Sequence, residues 1–141
     1  MKRKYIDDLG IKFEDTPQGF CHEEFLSKDS DSRGEYWHKE REEYGFDNRE
    51  TWSLDYNLKL WLYERLCMFN EVNCINTNLH RFIYKDKEIT QQECIDRMIE
   101  GLKLDLILDT WDRKRIDDIE VKTKIEDVFP ILSLCINSLW W

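Results

Sequence analysis

Residues 90–107 read TQQECIDRMIEGLKLDLI, and this stretch decides the fold. Thr90, with Glu93 three positions later, forms a capping box, the pattern that begins many helices. The apolar residues that follow recur at helical spacing and would share one face. The stretch therefore predicts an amphipathic helix over about residues 91–111. Its predicted core residues are Ile95, Met98, Ile99, Leu102, Leu106 and Ile107.

A second amphipathic helix is predicted upstream, over about residues 50–70. Asp47 and Glu50 form a start signal, although Thr51 or Ser53 could also cap the helix. The apolar residues of this segment fall on one broad stripe at helical periodicity. We expect that stripe and the helix at 91–111 to form the heart of the core. The stripe consists of Leu54, Leu58, Trp61, Leu62, Leu66 and Phe69.

The segments after each of these helices give weaker periodic signals. Alternation over residues 79–84 and a polar turn at 85–87 predict a short β-hairpin near 75–90. A further helix is predicted from about residue 119 to residue 139, after a charged connection. Pro130 lies inside it, so we expect either a kink or two abutting helices with the proline in a first turn.

Residues 1–34 show the least periodicity and predict an irregular N-terminal segment that packs on a helical domain at 35–141. Short turns or helices are expected near 5–9 and 22–26, and a helix over 35–44 would end at Gly45. The predicted fold class is mostly α. We expect a single domain, a compact bundle of about four helices, with the short β-hairpin near 75–90.

Composition restricts the class of function. The 141-residue chain carries a formal net charge of -9, and neither half shows a basic patch, so direct binding of nucleic acid is not expected. The five cysteines are odd in number and widely spaced, which favours reduced thiols over a disulfide framework. No apolar run approaches the length of a membrane span. These features predict a cytoplasmic protein that does not insert into a membrane.

The chain contains no alanine. Because alanine codons are GC-rich, this composition indicates an AT-rich genome, that of a phage or a low-GC bacterium. Helices without alanine must pack through bulky side chains. Close backbone crossings are therefore expected at the few glycines, such as Gly101.

Two ionisable residues interrupt the apolar stripe of the helix at 50–70. Asp55 projects between Leu62 and Leu66, while Arg65 projects between Leu58 and Leu54. A buried charge is costly unless it is paired, so each residue should have a partner. Asp55 and Arg65 are candidates for a ligand-binding or catalytic pair. A structural polar contact explains them equally well and is the more common case.

Three aspartates line one side of the helix at 91–111. Asp105, Asp109 and Asp112 would concentrate negative charge there and could bind a divalent cation or a basic partner surface. A solvated face is the more common reason for such a row. Metal binding is therefore not the expected role, and no cofactor is predicted.

Paired acids at i, i+3 spacing occur at Glu40 with Glu43 and at Glu93 with Asp96. All-α nucleotide pyrophosphohydrolases hold magnesium with such pairs from two helices. In a chain with 30 acidic residues such pairs also arise by chance, and Glu93 already serves the capping box. The three histidines and the cysteines show no spacing typical of a zinc site.

Six tryptophans are many for a chain of this length. Trp52 and Trp111 lie away from the main apolar faces of their predicted helices. They could cover a second core face against the N-terminal region, which is the more common arrangement. Otherwise they are interface anchors, because tryptophan often carries much of the binding energy at protein interfaces.

The segment YGFDNRETWSLDY at residues 44–56, followed by an apolar helix, and the terminal residues LWW at 139–141 resemble small phage and prophage proteins without an assigned activity. The resemblance covers the chain from about residue 44 onward. It implies a phage origin and marks Trp52 and Asp55 as motif positions. It implies no catalytic residues.

These observations favour a phage-encoded accessory protein that acts by binding. We expect its partner to be a host protein, such as a defence or nucleic-acid-handling protein that an acidic surface inhibits in the host cytoplasm. A homo-oligomer in which the acidity serves only solubility is the simpler version. The alternative is a nucleotide-directed enzyme or small-ligand sequesterer that uses a carboxylate cluster with a divalent metal. Its candidate site consists of Asp55, Arg65 and the paired acids.

Overall fold

The computed structural model describes residues 4–7, 9, 32–51, 54–73, 76–108 and 117–139. Within these ranges the protein is mostly helical with one small antiparallel sheet, which confirms the predicted fold class. Two 3-10 turns, at Asn48–Thr51 and Ile136–Ser138, supplement the regular elements. In chain order the helices and strands are α1 (Lys4–Asp7), α2 (Ser32–Tyr44), α3 (Leu54–Val72), β1 (Arg81–Tyr84), β2 (Lys87–Thr90), α4 (Gln91–Ile107), α5 (Ile119–Glu126) and α6 (Val128–Cys135).

Helix α4 is the centre of the fold, because α3, α5 and α6 all pack against it. The predicted capping box is present. The Thr90 hydroxyl accepts a hydrogen bond from the Glu93 amide at 3.2 Å, and the Glu93 carboxylate accepts one from the Thr90 amide at 2.7 Å. The side chains that α4 buries include Cys94, Ile95, Met98, Leu102 and Leu106.

The predicted hairpin is confirmed as β1 and β2, which pair from Arg81 with Thr90 to Tyr84 with Lys87. Its two turn residues, Lys85 and Asp86, have positive φ angles of 50° and 61°. Such angles belong to a type I′ turn, whose twist matches that of the two strands. Strand β2 runs directly into α4, so the hairpin is anchored to the central helix.

Helices α5 and α6 confirm the prediction of two abutting helices. Helix α5 ends at Glu126, Asp127 forms a turn, and Pro130 lies in the first turn of α6. The expected close crossing at Gly101 is also present. A Cβ atom there would collide with the Lys124 carbonyl oxygen and the Val128 side chain. Only glycine allows α5 and α6 to lie this close to α4.

Parts of the N-terminal region pack on the helices. Ile6 of α1 is buried in the core, and the Lys4 ammonium lies 2.7 Å from the Glu71 carboxylate of α3. The short helix expected at 22–26 lies outside the described residues. Helix α2 begins earlier than predicted, at Ser32, and ends at Gly45, whose φ of 81° is favourable for glycine.

Of the start signals considered for α3, Asp47 was wrong. Asp47 does not cap the helix, which begins at Leu54, directly after the later candidate Ser53. The Asp47 carboxylate is instead buried, and it accepts a hydrogen bond from the Arg41 guanidinium at 2.7 Å. The charge of Arg41 stabilises a carboxylate that would otherwise be costly to bury. Trp37 strengthens the same corner, because its indole N–H donates to the Asn48 side chain at 3.0 Å.

None of the helices in the ranges described is both long enough and apolar enough to cross a lipid bilayer.

Candidate protein-binding site

Helix α3 buries a different face from the predicted one. Its buried residues include Leu60 and Tyr63, which were not on the predicted stripe, together with Leu62 and Leu66, which were. Leu54, Leu58 and Trp61 were predicted to be core residues, but they are 57%, 43% and 37% exposed. The reason is that α4 and α1 both contact α3, and together they cover a face rotated from the stripe.

This rotation leaves an apolar groove between α3 and the C-terminal helices. The groove has a volume of about 420 Å³, and both of its walls rest on α4. Arg65 is the one charged side chain among its described lining residues. The α3 wall contributes Leu58, Trp61, Leu62, Arg65, Leu66 and Phe69, and the opposite wall contributes Phe129, Leu132, Ile136 and Leu139.

Arg65 and Trp61 form a pair at the edge of the groove. The guanidinium carbon lies 4.5 Å from the centre of the Trp61 ring, and Nη1 of Arg65 donates to the Trp61 carbonyl oxygen at 3.3 Å. A guanidinium over an indole face is a favourable cation–π arrangement. The guanidinium thus stacks on the Trp61 ring, and the Trp61 side chain is 37% exposed.

The expected burial of Asp55 and Arg65 was therefore wrong. Both residues are exposed, because the stripe that they interrupt is itself at the surface. Asp55 occupies the first turn of α3, where a carboxylate is favourable to the helix dipole. Arg65 contacts Trp61 rather than Asp55. The structure does not join the two residues into one site.

Asp105 is also placed differently from the expected solvated row. Its side chain is almost fully buried, and its carboxylate lies 2.8 Å from the Lys59 ammonium of α3. This ion pair joins α3 to α4 inside the domain. Asp109, Trp111 and Asp112, as well as Trp52, lie outside the described residues.

Three of the paired acids, Glu40, Glu93 and Asp96, have separate partners. The Glu40 carboxylate accepts a hydrogen bond from the Asn48 backbone amide at 2.9 Å, and the Asp96 carboxylate accepts one from the Gln92 side-chain amide at 2.9 Å. The backbone hydrogen bond with Thr90 lowers the pKa of Glu93. Across the part of the chain that the structure describes, no three acidic, histidine or cysteine side chains come together as a metal site.

Three cysteines lie within the described residues, and all are free thiols. Cys94 and Cys135 are fully buried against each other between α4 and α6. Their mutual hydrogen bond raises the pKa of the Cys135 thiol and lowers that of the Cys94 thiol. Both thiols are fully buried and pack as small core residues.

Two polar contacts across the fold were not anticipated from the sequence. The Asp127 carboxylate accepts hydrogen bonds from the Tyr84 hydroxyl at 2.7 Å and the Lys85 ammonium at 2.8 Å. Burial acts to raise the pKa of Asp127, but these two donors hold it below the ordinary value. The buried Gln91 amide donates to the Ser138 carbonyl oxygen at 2.6 Å. Each contact joins residues more than forty positions apart.

The outer edge of α3 is an exposed apolar surface that was not predicted from the sequence. Met68 and Val72 are 54% and 48% exposed, and they continue the row of exposed apolar residues toward the end of the helix. The available signal was that apolar residues occupy more than one face of α3. When a helix is apolar on two faces and packs on the core through one of them, the other apolar face lies at the surface.

Comparisons with protein-family models, with curated proteins and with solved structures find no match to this chain.

Proposed function

We propose that this protein acts by binding another protein, and that the groove between α3 and α6 receives an α-helix of the partner. The observation that carries the proposal is the groove itself. Two helices rest on α4 and leave an open, apolar channel between them. A helix laid into this channel would complete a four-helix arrangement, which is the general mode of helix-in-groove recognition.

The groove also defines the chemistry of the partner helix. The apolar walls require apolar side chains at i, i+3 or i+4, and i+7 on the bound face. Trp61 is held by Arg65 before binding, so it can act as an anchor with little loss of conformational freedom. The net charge of -9 favours a partner with lysine or arginine outside the contact.

We further propose that the protein is a phage-encoded accessory protein that inhibits a host protein in the host cytoplasm. The absence of alanine and the resemblance of residues 44–56 to phage proteins support the origin. A protein that occupies a helix of a defence or nucleic-acid-handling protein blocks whatever that helix normally contacts. The acidic charge would strengthen competition with nucleic acid for a basic surface.

The metal-dependent nucleotide enzyme has less support. It requires the paired acids to converge with Asp55 and Arg65, but each described member of that set has its own local environment. Glu93 caps α4, Glu40 contacts Asn48, and Arg65 stacks on Trp61. No observation favours this reaction class, so binding is the function that we propose.

Phage plating on a host that carries a defence system tests the proposal. The protein should raise plating efficiency, and Phe129→Asp or Ile136→Asp on the α6 wall should abolish the effect. Both side chains are exposed, so the variants should remain folded. Ile83→Asp, at an exposed apolar position on β1 outside the groove, is the control and should retain full effect.

Photo-crosslinking identifies the bound segment directly. A crosslinking amino acid at position 129 should trap one helical segment of one host protein, while the same group at position 83 should not. No effect on plating by the unsubstituted protein, or equal loss in the groove and control variants, would contradict the proposal. A trapped segment without helical structure would contradict the helix-in-groove mode.

A further inference from the structure

The exposed edge of α3 carries residues at heptad spacing. They follow one another at intervals of four, three, four, three and four positions, from the first turn of the helix to the last. The five apolar members are between 37% and 57% exposed, and the sixth, Arg65, is exposed as well. We call this row the α3 seam, and it consists of Leu54, Leu58, Trp61, Arg65, Met68 and Val72.

Heptad spacing has a specific physical meaning. Apolar residues at an average interval of about 3.5 stay aligned along one line of a helix, so they can face a second helix over its whole length. The α3 seam extends through all 19 residues of α3, a rise of roughly 28 Å. A continuous exposed apolar row of this kind is unusual on a monomer and marks an interface.

The pattern of the seam is self-complementary. Its six positions are placed symmetrically about residue 63, the midpoint of α3. If a second α3 runs in the opposite direction, residue 54 of one copy faces residue 72 of the other, 58 faces 68, and 61 faces 65. We infer that a second copy of this chain packs along the seam with α3 antiparallel to α3. The resulting interface is isologous and has a two-fold axis beside residue 63.

Charge decides between the antiparallel and the parallel arrangement. In an antiparallel pair each Arg65 faces Trp61 of the other copy, so the guanidinium that already stacks on its own indole gains a second aromatic face. In a parallel pair in register, Arg65 would face Arg65. Two like charges in the centre of an apolar seam are unfavourable, and a charged residue at such a position commonly fixes the register.

The dimer goes beyond the proposed function and uses part of the same helix. The seam and the groove between α3 and α6 share Leu58, Trp61 and Arg65. A second copy on the seam covers Trp61, so the second copy and a partner helix are alternative occupants of this part of α3. Binding of the partner helix should therefore favour the monomer.

Light-scattering mass measurement over a concentration series tests the dimer. The unsubstituted protein should reach twice the chain mass of 17.3 kDa. Met68→Asp should shift the midpoint of the transition to at least tenfold higher concentration, while circular dichroism shows unchanged helix. Ile83→Asp is the matched control and should dimerise normally. A monomer throughout the series, or an equal shift in both variants, overturns the inference.

A charge-pair experiment tests the antiparallel register. Chains with Leu54→Lys are mixed with chains with Val72→Glu, and native mass spectrometry counts the species. Antiparallel packing places position 54 of one copy against position 72 of the other, so the two introduced charges meet only in the mixed dimer. Mixed dimers should therefore exceed the statistical half of all dimers. A mixed-dimer fraction of one half overturns the antiparallel register. Parallel packing would give that fraction, because positions 54 and 72 would then lie at opposite ends of the interface.

The outcomes for the dimer and for the proposed function are separable. A chain that stays monomeric but loses its plating effect through Phe129→Asp overturns the dimer and supports the groove. A chain that dimerises through α3 but has no effect on plating supports the dimer and contradicts the proposed function.

Discussion

The Lys59 ammonium lies 2.8 Å from the Asp105 carboxylate and joins α3 to α4 where both side chains are largely removed from solvent. The pair fixes how α3 sits on the central helix, and thereby which side of α3 faces outward. Removing Lys59 takes the ammonium away from the buried Asp105 carboxylate, which is far more costly than replacing both residues by apolar ones.

We therefore expect Lys59→Met to lower the free energy of unfolding by about 3 to 5 kcal/mol. Urea denaturation followed by circular dichroism measures this loss. The double variant Lys59→Met with Asp105→Leu should recover most of it, because no charge then remains buried. If the loss of unfolding free energy in the double variant equals the sum of the losses in Lys59→Met and Asp105→Leu, the two residues do not act as a pair.

Gly101→Ala should destabilise the fold, although alanine normally favours a helix. The added Cβ atom meets the Lys124 carbonyl oxygen and the Val128 side chain, so α5 and α6 must move away from α4. The expected loss is about 1 to 3 kcal/mol, measured as a lower thermal midpoint. Lys103→Ala, at an exposed position of the same helix, is the control and should change little.

The Asp127 carboxylate predicts a dependence of stability on pH. Its pKa in the folded protein is lowered below the ordinary value of 3.8, so it stabilises the fold above that pH. This contribution is lost as the pH falls through the lowered pKa. The difference in unfolding free energy between the unsubstituted protein and Asp127→Asn should therefore be constant near neutrality and shrink below pH 3.8.

Urea titrations at a series of pH values measure this difference. Glu126→Gln is the neighbouring control, because Glu126 is exposed and its ion pair with the exposed Lys122 is long, at 3.8 Å. A difference in unfolding free energy between the unsubstituted protein and Asp127→Asn that grows below pH 3.8 would refute the assignment of Tyr84 and Lys85 as stabilising donors.

Ile6→Ala tests whether the N-terminal helix belongs to the core. Ile6 is 1% exposed and packs with the core residues, so its truncation should cost about 2 to 5 kcal/mol. Lys4→Ala removes an exposed ion pair with Glu71 and should have little effect on the thermal midpoint. Equal effects of the two substitutions would mean that α1 does not contribute to the core in solution.

The elements of this fold were predictable where short-range signals decide them. The capping box at Thr90, the hairpin turn before β2, the helix-ending Gly45 and the proline in the first turn of α6 act over a few residues. The fine boundaries were less predictable. Asp47 has the chemistry of a helix cap, but its carboxylate is taken by Arg41 instead.

The candidate site was not predictable in the same way. Apolar residues surround much of α3, so periodicity alone could not say which face α4 and α1 would cover. The same applies to Asp105, whose partner Lys59 lies on another helix and 46 positions away. Burial at these positions depends on long-range packing. Because α3 packs through a different face from the predicted one, Leu54, Leu58 and Trp61 lie at the surface.

The contact between Gln91 and Ser138 bears on how the protein opens. Gln91, the first residue of α4, donates its side-chain amide to Ser138 in the 3-10 turn that follows α6. That turn cannot fray without exposing the buried Gln91 amide. Amide protons in the 3-10 turn at Ile136–Ser138 should therefore exchange with solvent as slowly as those of α4, through opening of the whole domain. The turn thus behaves as part of the most protected unit and stabilises the groove wall formed by Ile136 and Leu139.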